Sequence, residues 1–216
     1  MRQRVFFFAL PAMLLSLGAW TCGPDSDSSP VSNDGDGGID GAIDRTYPYV
    51  VPDAACEIIL DDPPLLPATH VGFDVPIEYD SNPPSSGPHD AVWAAFQEYS
   101  TPVPRRNYVH DLEHGAIVFT YRCDGAVGDA GACSDVTELF HSVVKGLPDD
   151  PVCDGEGVRV RTVITPDPLL DVPIAASAWG FTYRARCIDE ASLAAFAREH
   201  YGKGPEILCG KGQDHF

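Results

Sequence analysis

Basic residues are scarce in this chain: 14 Lys and Arg stand against 32 Asp and Glu, for a formal charge of −18 at pH 7. A surface that acidic repels phosphate backbones and anionic headgroups, which argues against nucleic-acid binding and anionic membrane surfaces. Solubility accounts for the charge most simply; an acidic face that concentrates cations near a metal site is the other reading. CxxC is also missing, which removes both a thioredoxin-type redox pair and a thiolate zinc knuckle. Internal repeats are absent as well. The one long apolar run, "VFFFALPAMLLSLGAW", follows a basic Met-Arg-Gln-Arg start. At about 15 residues it fits an export signal better than a membrane span. Removal of such a signal, residues 1–21, takes away Arg2, Arg4 and no acid, so the charge of −18 becomes −20.

The signal ends in "AWTC", Ala19 to Cys22. A cysteine just after an apolar run is where bacterial lipoproteins receive their lipid, although Trp20 and Thr21 depart from the usual small residues. Ordinary cleavage near Ala19, with secretion of a soluble periplasmic or extracellular chain, is the alternative. Parity favours the anchor. Of seven cysteines, setting Cys22 aside leaves Cys56, Cys123, Cys133, Cys153, Cys187 and Cys209. An even set in an exported chain reads as up to three disulfides, whose pairing stays open among about 15 connectivities. The expected location is the cell envelope, with the lipid on the outer membrane.

Residues 22–45 are rich in Gly, Ser, Asp and Pro, and cannot bury enough apolar surface to offset chain entropy, so they read as a flexible acidic tether. Residues 46–216 are long enough for one domain with a real core. "AIVFTYRC" (116–123) has strand composition. "SDVTELFHSVVKGL" (134–147) places Val136, Leu139, Phe140, Val143 and Val144 at helical spacing, with Ser134 as N-cap. "VRVRTVIT" (158–165) alternates as a strand, and "PIAASAWGFTYRARC" (173–187) reads as another with a bulge at Gly180. "DEASLAAFAREHYG" (189–202) closes as a helix, and residues 46–107 read as Pro-rich and mostly loop. The expected fold is α+β: a small mixed or antiparallel sheet carrying two helices on one face, with long Pro-rich loops and disulfide staples.

His70, His89, His110 and His114 lie within the loop-rich half, and neutral imidazole is the commonest ligand of zinc and copper. In "NYVHDLEHG" (107–115), a strand would hold His110 and His114 about 13 Å apart, too far for one ion. A helix brings their Cβ atoms to roughly 6 Å. Asn107 as cap, Val109 and Leu112 facing inward and Gly115 as terminator predict a short helix or turn. As H-x-x-E-H the stretch matches the inverted zinc-protease motif, with Glu113 as general base. However, it is short, runs straight into a strand, and has no oriented downstream glutamate. "NPPSSGPHD" (82–90) is stiffened by Pro83, Pro84 and Pro88 and turned by Gly87, so it presents His89 from a rigid loop. His141, His200 and His215 read as surface histidines.

In combination, "THVGFDVPIEYDSNPPSSGPH", "VHDLEHGAIVFTYRC" and "PIAASAWG" resemble the bacterial family called domain of unknown function 3105, over about residues 66–200. The resemblance places His70, His89, His110, Glu113 and His114 at motif positions, with Asp111 standing where Asn is usual. It implies an exported or membrane-anchored protein and assigns no activity. Three functions are therefore open. The first is a lipoprotein binding zinc or copper(II) through His89, His110 and His114, with His70 or Glu113 as a further ligand. The second is a non-enzymatic interaction module braced by a hydrogen-bonded His/Glu cluster. The third is a metal-dependent hydrolase with Glu113 as base.

Overall fold

The computed structural model describes residues 49–50, 56–128 and 130–216, all within the compact unit Ile43–Phe216. The expected signal peptide, the tether and Cys22 lie outside the described residues. Short strands β1 (Tyr49–Val50), β2 (Ile58–Asp61), β3 (Thr69–His70) and β4 (Pro88–His89) precede helix α1 (Arg105–Glu113). Then follow β5 (Ile117–Tyr121), α2 (Cys133–Lys145), β6 (Thr162–Pro166), β7 (Ile174–Ala178), β8 (Phe181–Ala185) and α3 (Glu190–His200). Six strands form one mixed sheet in the order β1-β2-β8-β7-β5-β6, and β3 with β4 forms a second, two-stranded sheet. Only β5 and β6 run parallel in the large sheet, as the α2 crossover between them requires. The fold is α+β and disulfide-stapled.

Strand β5 has its first four residues buried, and its alternation separates two cores. Ile117 and Phe119 pack with Val136, Leu139, Phe140 and Val143 of α2 and with Leu193 and Phe196 of α3. Val118 points the other way, toward Tyr108, Val109 and Leu112 of α1. Two helices thus cover one face of the sheet, as expected, while α1 packs on the opposite face.

The local structure departs from these expectations at several points. "PIAASAWGFTYRARC" is a hairpin of two strands: Ala178 pairs with Phe181, leaving Trp179 and Gly180 as a two-residue loop where a bulge was expected. Strand β6 begins only at Thr162. Helix α2 starts at Cys133, capped by Ala132, whose N–H is bound by the Asp135 carboxylate, so Ser134 lies inside it. Helix α1 starts at Arg105, because Pro104 supplies the first carbonyl, to the N–H groups of Asn107 and Tyr108. Asn107 is inside the helix and donates from its side chain to the Val92 carbonyl. His200, expected at the surface, is 4% exposed and stacks on Phe181.

The cysteines pair as Cys56–Cys187, Cys123–Cys133 and Cys153–Cys209, with Cα separations of 5.4, 5.6 and 5.1 Å. The third holds the C-terminal segment against the α1 side of the sheet. There Glu206 N–H donates to the Glu113 carbonyl and Gly202 N–H to the Gly115 carbonyl. Backbone meets backbone so closely that a Cβ on Gly204 would lie 2.2 Å from the Glu113 carbonyl oxygen and 2.5 Å from Gly115 N. Neither atom belongs to a side chain that can move aside. Gly204→Ala is expected to cost about 2 kcal/mol or more, lowering Tm by several degrees in thermal unfolding.

Candidate metal centre

The four groups that converge come from three short segments, each placed by its backbone. Strands β3 and β4 run parallel with His70 opposite His89, and Val71 N–H closes the ladder on the His89 carbonyl at 2.9 Å. In-register residues put their side chains on one face, and the two rings lie 5.0 Å apart, edge to face. Helix α1 supplies His110 and Glu113, three apart and therefore neighbours on its surface. It ends in a Schellman motif: Ala116 N–H bonds the Asp111 carbonyl and Gly115 N–H the Leu112 carbonyl, with Gly115 at φ 79°. This turn lets the helix run directly into β5, as the expectation for Gly115 required.

The Glu113 carboxylate is the point of convergence. Its Oε2 lies 3.0 Å from His89 Nε2, 3.7 Å from His110 Nε2 and 3.8 Å from His70 Nε2. One ligand atom from each of His70, His89, His110 and Glu113 falls within 4.8 Å of every other, and the group could hold a metal ion. Four ligands at zinc–nitrogen distances define a tetrahedron with edges of about 3.3 Å, so small side-chain shifts would complete the shell. His89 and His110 are buried and Glu113 is nearly so, whereas His70 is 52% exposed and forms the outer wall.

Two ring tautomers follow from hydrogen bonds to carbonyls, which can only accept. His89 Nδ1–H donates to Gly87 O and His110 Nδ1–H to Asp90 O, each at 2.8 Å. In the neutral rings both Nε2 atoms carry lone pairs aimed at the cluster, and the backbone contacts orient the rings as ligand-supporting groups do. Burial, followed by the neighbouring imidazoles of His114, His89 and His70, pushes His110 down from 6.5 to about 3. It is neutral, hence ligand-competent, at neutral pH.

Sequence reasoning missed the residues that hold the loops. Arg106 donates to the carbonyls of Gly72 and Phe73, just after His70, at 2.6 and 2.7 Å. Arg105 joins Asp167 to the Asn82 side chain at 2.9 and 2.7 Å. Gly180 N–H donates to Ser85 O at 2.8 Å, so the "AWG" turn supports the "NPPSSGPH" loop. The adjacent arginines preceding "NYVH" were the available signal, since Arg commonly braces loops by bonding several carbonyls. His114 lies outside the converging four. Its ring packs 4.6 Å from that of His110, and its nearest carboxylate is Glu206, 4.0 Å from Nδ1. Of the other histidines, His141 pairs with Glu98 at 2.9 Å on the surface, and His215 is exposed.

Asp111 is fully buried; one carboxylate oxygen accepts from Ala94 N–H at 3.2 Å and the other has no hydrogen-bond partner. Burial raises its carboxyl well above the usual range. Asp111→Asn keeps an acceptor for Ala94 without the buried charge, and is expected to stabilise the metal-free fold by about 1 kcal/mol at pH 7 in denaturant titrations. His110 acts in the opposite sense to Asp111 with pH. Its unfolded form takes a proton near 6.5 and its folded form only near 3, so its contribution is fully present above 6.5 and is lost as pH falls toward 3. The stability of the metal-free wild type should therefore fall more steeply over that window than that of His110→Gln, the difference approaching about 1.4 kcal/mol per pH unit only in its middle.

A family model described as a protein of unknown function, DUF3105, matches residues 70–211. No curated protein and no solved structure matches. The matched span covers more than half of the chain, from the first histidine of the cluster to beyond the last disulfide cysteine, and the chain belongs to the DUF3105 family.

Proposed function

We propose that this protein is a cell-envelope lipoprotein whose domain binds one transition-metal ion, zinc or copper(II), through His70, His89, His110 and Glu113. The observation that carries the reading is the approach of three imidazole Nε2 atoms to a single carboxylate oxygen, two of them on rings oriented by carbonyls. Three nitrogens and one oxygen, with no thiolate, suit zinc or copper(II). A divalent ion also offsets the crowding of lone pairs around Glu113 Oε2. Glu113 then serves as a ligand, and the hydrolase reading that needs it as a free base loses support. The proposed anchor is a lipid on Cys22, joined to the domain by the acidic tether. Three cysteine pairs fit an oxidising compartment. Among the described residues no helix is long and apolar enough to cross a membrane; in this reading the lipid provides the attachment.

One contact favours a second reading. His89 Nε2 and Glu113 Oε2 are at direct hydrogen-bond distance, 3.0 Å, so a proton in place of the ion would make the cluster a purely structural brace. The two readings part on chelation. Mature protein purified without chelator is expected to carry about one zinc or copper per chain by elemental analysis. Metal in excess should raise Tm, because binding stabilises the folded state by roughly 3–4 kcal/mol at concentrations 100- to 1,000-fold above Kd. His89→Ala and His110→Ala should lose the metal and the chelator-sensitive part of Tm. A metal-free wild type that cannot be reloaded, with the same loss of stability in the variants whether or not chelator is present, would leave the brace as the answer.

A further inference from the structure

Beside the four converging groups sits a set of buried polar atoms without partners. The His114 side chain is 2% exposed; the Glu206 backbone approaches its ring, but neither ring nitrogen has a hydrogen-bond partner of good geometry. Trp93 Nε1 is buried and likewise unpartnered. The Trp93 ring lies 5.1 Å from the rings of both His110 and His114, edge to face, and the His114 ring is 4.6 Å from that of His110. Both residues therefore pack against a ring that the proposed function makes a ligand. A buried N–H left unpaired costs free energy, and here two residues with that defect adjoin the same imidazole. Indole N–H can only donate, and imidazole in any tautomer carries at least one N–H. The unmet need is for an acceptor.

Charge indicates which acceptor. A divalent ion held by three neutral imidazoles and one carboxylate leaves the centre at +1, which one monoanion neutralises. Glu206 is the group nearest to supplying an acceptor, but its carboxylate stops 4.0 Å from His114 Nδ1 with its side chain 59% exposed, and its backbone closes no hydrogen bond of good geometry on the ring. We propose that Trp93 and His114 form a subsite for a small oxyanion, of the size of hydroxide, formate or hydrogencarbonate, drawn in by the metal centre and hydrogen-bonded by these two side chains. This rests on the metal-binding reading. It makes His114 part of the site in a role other than the ligand role expected from its spacing.

The test uses copper(II)-loaded mature protein whose metal content has first been measured. Sodium azide, a linear monoanion with a charge-transfer band on copper(II), is titrated in, and formate is used to displace it. Wild type is expected to develop the band saturably and lose it to formate. His114→Phe and Trp93→Phe should keep the metal stoichiometry and weaken azide binding by about tenfold or more, the effect of losing a hydrogen bond to a charged group. Thermal unfolding without anion provides a second measurement. Because His114→Phe removes unpaired buried nitrogens, its Tm should hold or rise, whereas a clear fall would show that His114 is a structural group bonded through internal water. Azide affinity unchanged in both variants, or no azide band on a fully loaded wild type, would overturn the subsite while leaving metal binding intact. Failure to take up metal at all would overturn both.

Discussion

The carbonyls of Gly87 and Asp90 set the geometry of the candidate centre. Each accepts the Nδ1–H of one histidine at 2.8 Å, and each lies within three residues of the other in a proline-stiffened loop. A single rigid segment thereby orients one ring from its own β4 and one from α1. Without these bonds the two imidazoles could rotate, and their Nε2 atoms would have no reason to face Glu113. The helix is tied to the same loop through its backbone, since Asp90 N–H donates to the Arg106 carbonyl at 2.9 Å. Ring orientation, helix position and loop shape are therefore one constraint, with the entropy cost of ordering met by the proline loop before any ligand arrives.

The arginines extend that constraint outward. Arg106 ties the chain after His70 to the start of α1, and Arg105 ties the Asn82 end of the proline loop to Asp167 beyond β6. Tyr108 O–H adds a bond to the same Asp167 carboxylate at 3.2 Å. His70 is the most exposed member of the cluster and sits on a strand of only two residues, so it has the least support from the core. Its position relies on the in-register pairing with β4 and on Arg106. The least secured donor is also the one facing solvent, where an ion would enter.

Much of this was legible in the sequence, for reasons that can be named. Gly115 after "HDLEH" signals a helix end because a left-handed terminator suits glycine, and spacing alone showed that the histidines needed a helix. The proline loop was legible because proline fixes φ whatever surrounds it. The choice between His114 and His70 was not. Both i, i+3 and i, i+4 partners of a helical residue are surface neighbours, and only the packing of α1 against β4 turns Glu113 toward His89 while His114 faces Trp93. The in-register pairing of His70 with His89 joins residues 19 apart through two strands of two residues each, too short for any periodicity to register. The caps misread at Asn107 and Ser134 have a shared cause. Both side chains have the right chemistry, but Pro104 and Ala132, with Asp135, met the same backbone needs earlier in the chain.

Burial also distinguishes this centre from a generic acidic surface. The chain has an excess of carboxylates over cations, yet the cluster holds only one, and that one is surrounded by imidazoles. Four surface carboxylates would repel one another and favour calcium or magnesium, which accept oxygen ligands in flexible shells. Three nitrogens in a mostly buried pocket disfavour those hard ions, because nitrogen donors interact weakly with them and the site offers too few oxygens. The general acidity of the surface can raise the local concentration of every cation without selecting among them. Selection of a metal would fall to the imidazoles, which can act only while neutral, a condition that the burial of His110 imposes. The desolvation that makes this ring a poor base is what keeps its lone pair available to a metal at neutral pH.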